Sequence, residues 1–126
     1  ANSILVFNNA STASGEIVPN RTISGVLTTL NAPSGIFVDT ANNRLYVANY
    51  TGNSILLFSN ASAADGEIVP NRRISGALTT LNNPSGIFVD TANNRLYVAN
   101  YTGNSILVFN NASTASVAFL KLHDVI

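Results

Sequence analysis

The chain repeats itself with a period of 51 residues. Residues 2–52 and 53–103 differ at seven positions, and residues 104–116 copy residues 2–14 without change. Such self-similarity marks a chain built from supersecondary units, each unable to bury its apolar face alone and each therefore stacked on the next. Copies this alike also imply that the units do the same job, since separate selection for distinct catalytic roles would leave more differences. Domain organisation follows: tandem repeats over 2–52 and 53–103, a partial repeat over 104–116, and a divergent tail over 117–126.

Each unit reads as four strands. GIFVD (35–39, strand a), RLYVAN (44–49, b) and SILLF (54–58, c) are short runs rich in β-branched and aromatic residues, bounded by turn formers. Asp39 is placed to fold its carboxylate onto amides ahead of it, Asn42 and Asn43 tolerate left-handed conformations, and Gly52 is expected to supply a positive φ in the next turn. SILLF and GIFV are almost continuously apolar, which predicts sheets covered on both faces rather than one wet face. Strand d is expected over about 67–75. Pro70 interrupts it, and a residue without an amide proton belongs on an outer edge. The stretches NNASTASG and SNASAADG read as polar loops joining c to d.

Four-stranded antiparallel sheets stacked face to face are the blades of a β-propeller. The run from Pro33 to Phe58, PSGIFVDTANNRLYVANYTGNSILLF, resembles an NHL repeat in its proline-x-glycine, the Val-Asp ending its first strand, its Tyr-Val-Ala-Asn and its Gly-Asn-x-Ile-x-x-Phe. It is also similar to YVTN-type surface propellers, which share Leu-Tyr-Val-Ala-Asn. The resemblance covers about half of each repeat and departs at the c-to-d loop and strand d. It implies an all-β fold of propeller blades, most often six for the NHL type, and it tilts localisation toward the extracellular or cell surface. The absence of tryptophan argues against a WD-type blade.

Composition narrows the function classes. Six basic residues balance six acidic ones, so no net field is available to hold a nucleic-acid backbone or an anionic bilayer. No cysteine is present, which excludes disulfides and thiolate metal sites. No apolar run approaches the roughly 18 residues of a membrane-spanning helix. The chain opens at Ala1 rather than methionine, as a processed or excised piece does.

Candidate site residues are few. Asp39 and Asp90 end strand a, where related-looking propellers place acids near a central channel. A ring of them could hold calcium, against the alternative that they cap a turn. Arg44 and Arg95 are expected to pair with them, and Arg21, Arg72 and Arg73 to be solvated on the edge strand. Tyr50 and Tyr101, with Asn49 and Asn100 beside them, form either a platform for a glycan or peptide or packing between blades. Asn9, Asn20, Asn49, Asn60, Asn100 and Asn111 lie in Asn-x-Ser/Thr triplets, chiefly a consequence of composition. The only histidine, His123, sits in the tail and offers no triad or metal cage.

In order the chain supplies c, d, a, b, c, d, a, b, c. Two blades cannot close a ring, so the expected partners are copies of the chain, three of them giving six blades with strands exchanged between neighbours. One c strand is then surplus, because residues 4–7 and 106–109 share a sequence and compete for one place. The tail VAFLKL is either an incidental end or a strand d that seals the last blade within its own chain. The expected function is a non-catalytic scaffold or binding module, including an engineered or evolutionary-model repeat protein. The alternative is a lactonase- or lyase-like propeller enzyme with a metal in its channel.

Overall fold

The computed structural model describes residues 2–115. The tail, His123 and the reading of VAFLKL as a strand lie outside the described residues. The described chain is all-β, with nine strands: β1 (Ser3–Val6), β2 (Arg21–Ser24), β3 (Pro33–Asp39), β4 (Arg44–Asn49), β5 (Ser54–Ser59), β6 (Arg72–Ile74), β7 (Pro84–Asp90), β8 (Arg95–Asn100) and β9 (Ser105–Asn110). They form three antiparallel sheets of two, four and three strands, ordered β1-β2, β3-β4-β5-β6 and β7-β8-β9. The a-b-c-d order read from the repeat is the strand order of the middle sheet.

Two corrections concern strand d and the loop before it. The fourth strand pairs over three residues only, Ile55↔Ile74, Leu56↔Arg73 and Leu57↔Arg72, instead of the longer span expected. Pro70 stays outside the ladder for want of an amide proton, and the residues before it turn to the neighbouring sheet. Gly66 donates its N–H to the Thr22 carbonyl (2.7 Å) and accepts from Ser24 N–H (3.1 Å). Arg21 is half-buried rather than solvated, its guanidinium 2.9 Å from both the Ala61 and Ala64 carbonyls. The polar loop is thus a fixed contact between successive repeats.

A single 3-10 turn, Val26–Thr28, leads into β3, and Ala77–Thr79 leads into β7. In the first, the Thr28 hydroxyl donates to the Gly25 carbonyl (2.6 Å) and accepts from Leu30 N–H (3.2 Å). The turn ends at Thr29 with φ 59°, an uncommon conformation for a β-branched residue.

The core lies between sheets. On one face of the middle sheet Tyr46, Ala48, Ile55, Leu57 and Ile74 pack with Val89, Leu96 and Val98 of the third sheet. On its other face Leu45, Val47, Leu56 and Phe58 pack with Ile4 and Ile23 of the first. β4 and β5 are therefore buried on both faces, which is why they read as unbroken apolar runs. Burial of this kind contributes about 1.5–3 kcal/mol per large side chain.

β3 and β7 approach closely where the sheets meet. The Ser34 hydroxyl donates to the Ser85 carbonyl oxygen (2.8 Å), and Phe37 meets Phe88 edge to face at 5.3 Å. Gly35 permits the approach, since a Cβ there would press on the Ser85 carbonyl oxygen and lie 3.1 Å from Gly86 Cα.

Candidate functional site

The a-to-b turn uses both oxygens of Asp39. Asn42 donates its backbone N–H to Oδ1 (3.2 Å) and its side-chain amide to Oδ2 (2.9 Å), while Asn43 takes the left-handed place at φ 56°. Arg44 reaches Asp39 Oδ2 at 3.8 Å. Asp90 repeats the cap with Asn93 at 3.3 and 2.9 Å. Arg95, expected to pair with Asp90, does not close to ion-pair distance; it is exposed and acts at longer range. The Asn93 side-chain hydrogen bond holds the Asp90 carboxyl below its ordinary value, assisted by backbone N–H groups and Arg95 and opposed by desolvation. Among the described residues no three His, Cys, Asp or Glu side chains come together as a metal site would require.

At the other end of the a-b hairpin stands an amide cradle. The Asn49 side chain is buried; its Oδ1 accepts from Asn31 N–H (2.7 Å), and its Nδ2 donates to the Thr29 carbonyl and the Ser54 hydroxyl, both at 3.0 Å. Asn100 does the same with Asn82, Thr80 and Ser105 at 2.7, 3.0 and 3.2 Å. These amides hold the turn carrying left-handed Thr29, or Thr80, against the end of the hairpin. Asn53, at φ 49°, supplies the positive φ expected of Gly52. Gly52 serves instead as empty space, because a Cβ there would run into the Asn49 amide. Neither role was legible from the Tyr-Thr-Gly-Asn turn sequence, which fixed the turn but not which residue is left-handed.

Tyr50 and Tyr101 pack against each other with ring centroids 6.1 Å apart at 50°, Tyr50 half-buried and Tyr101 exposed. The pair bridges successive repeats, and Tyr101 presents one free ring.

A concavity lies elsewhere, between the first sheet and β3. This groove, about 450 Å³, is lined from the first sheet by Leu5, Val6 and Ile23 and from the second by Ile36, Val38 and Leu45. It is an apolar space with few groups able to orient a polar ligand. No sequence signal marks it, because its apolar lining recurs in the next repeat, with Leu57 in place of Val6, where most of it is covered. The matching positions Ile87, Val89 and Leu96 belong to the core between the second and third sheets. Val38 is 46% exposed and Val89 2%.

Comparison with known proteins finds no protein family that matches the chain and no curated protein similar to it.

Proposed function

We propose that the chain is a β-propeller fragment that closes into a ring with copies of itself, acting as a non-catalytic scaffold or binding module with an equivalent surface on every blade. The carrying observation is the set of sheets. The middle one has four strands and is covered on both faces, whereas the two-stranded and three-stranded sheets are parts of the same repeat, with edges along β1 and β9 that no strand of the described residues pairs. An exposed sheet edge is a template for pairing with another chain, and identical repeats make another copy of the chain the best-fitting partner. Joining the partial sheets across neighbours gives two blades per chain, and the resemblance to NHL repeats implies six, hence three chains.

The near-identity of the blades supports a repeated binding surface rather than a single active centre. Its candidate is the tyrosine row, Tyr50 and Tyr101, one per repeat with Thr51 and Thr102 next in sequence, suited to a glycan or peptide. Mass in solution by light scattering tests the assembly: three chains of 13.2 kDa are expected, and a single chain across the accessible concentration range refutes the ring. A glycan and peptide screen against wild type and Tyr101→Ala tests the surface.

A further inference from the structure

The repeat contains its own control for what fills the groove. Wherever one repeat follows another, the face bearing Ile87, Val89 and Leu96 is covered by the preceding a-b hairpin, with Phe37 and Tyr46 packed on it. In the first repeat the same face, now Ile36, Val38 and Leu45, is covered by no hairpin of the described residues and opens into the groove. The complementary surface stands at the other end of the chain. In β9, Ile106 is 67% exposed although the matching Ile55 of β5 is 1% exposed, and Val108 and Phe88 are exposed with it.

We infer that the groove is the seat of the third sheet of a second copy, entering as a unit with Phe88 on the a strand and Tyr97 on the b strand filling the space beside Ile36 and Val38, and with β9 replacing the resident β1. The inference rests on the ring reading and resolves its surplus strand. Because β1 and β9 share the sequence SILV, the incoming strand offers the same side chains to Ile23 and its neighbours.

The two strands differ in their attachments. β9 is bound to its own hairpin through six residue pairs with β8. It is further held by the Asn100 amide on Ser105 (3.2 Å) and by Asn94, which exchanges hydrogen bonds with Ser113 at 3.0 Å each way and accepts at its carbonyl from Ala112 N–H (2.9 Å). β1 has four residue pairs with β2, and the positions matching Ala112 and Ser113, namely Ala10 and Ser11, are exposed. The better-anchored strand keeps its place, and β2 joins it in the register that β6 uses on β5: Ile106 opposite Ile23, Leu107 opposite Thr22 and Val108 opposite Arg21.

Glycine geometry supplies the decisive variant. A Cβ at Gly35 collides with the Ser85 carbonyl of the next repeat, while a Cβ at Gly86 meets nothing nearer than Ala99 Cβ at 3.9 Å. Once a second copy is seated, Gly86 stands to its β3 as Gly35 stands to β7. In the full chain, Gly86→Ala is therefore expected to leave far-UV circular dichroism unchanged and to abolish assembly by light scattering. Ile36→Arg, a substitution at an exposed groove position, is expected to do the same by a different route. Ile106→Asp is expected to abolish assembly and Ile4→Asp to spare it. A wild type that stays a single chain overturns the ring and this seat with it. A wild type that assembles while Gly86→Ala and Ile36→Arg assemble equally well overturns the seat and leaves the ring standing. Assembly lost in Ile4→Asp and kept in Ile106→Asp overturns the strand replacement, since β1 would then hold the place.

Discussion

Asn49→Ala separates a structural from a ligand-binding role for the amide cradle. The substitution removes three hydrogen bonds, to Asn31 N–H, the Thr29 carbonyl and the Ser54 hydroxyl, at 2.7, 3.0 and 3.0 Å. At roughly 1 kcal/mol net for each bond the loss is about 3 kcal/mol, and for a chain of this size that corresponds to a fall in Tm of about 10 °C. Asn49→Asp keeps an acceptor for Asn31 but turns an oxygen toward the Thr29 carbonyl and buries a charge, so it is expected to cost at least as much. Asn100→Ala is expected to match Asn49→Ala, because its cradle has nearly the same geometry. Urea denaturation followed by far-UV circular dichroism reads the effect, at one protein concentration so that self-association contributes equally to every variant. A loss under about 1 kcal/mol in both alanine variants would refute the reasoning and return the two asparagines to the pool of ligand contacts.

Three further outcomes follow. Gly35→Ala is expected to destabilise by about 2 kcal/mol, since its Cβ meets backbone that cannot swing away; an unchanged denaturation midpoint would show that β3 and β7 separate at little cost. Arg21→Ala removes two of the contacts that tie the second c-to-d loop to β2, and a loss of about 2 kcal/mol is expected, together with faster proteolysis within 61–66; a protease pattern identical to wild type counts against that contribution. Asp90 has a folded pKa below its ordinary value, so its stabilisation is present above about pH 4 and lost as pH falls through the lowered value. Asp90→Ala is accordingly expected to be less stable than wild type at neutral pH and to converge with it in acid once the carboxyl is protonated in both states, and a gap independent of pH would place its origin in packing.

Strands a, b and c were legible because their signal is local: β-branched and aromatic runs between turn formers, with both faces apolar. Strand d was legible only in outline. Its first half follows a contact with β2 that lies 43 residues away, from Thr22 to Asp65, and no local pattern reports such a partner. The aspartate turn could be read because its capping is short-range. The asparagine cradle could not, because the Asn31 and Asn49 that meet there are 18 residues apart and nothing in Val-Ala-Asn distinguishes a buried amide from a displayed one. The groove is invisible in sequence for a different reason: Val38 and Leu45 recur as Val89 and Leu96, buried one repeat later, and it is the neighbouring hairpin, not the local sequence, that decides whether Val38 is covered.

The placing of the core between sheets, rather than within one enclosed interior, has a consequence for how the chain comes apart. Its cohesion is a sum over adjacent pairs, as in a one-dimensional stack, so the middle sheet has two supports and each end sheet has one. Such a stack frays from its ends, and amide exchange should be slowest in β4 and β5 and faster toward β1 and β9. In the proposed ring the ends would be gone, and the gradient of opening along the chain would give way to a single cooperative transition.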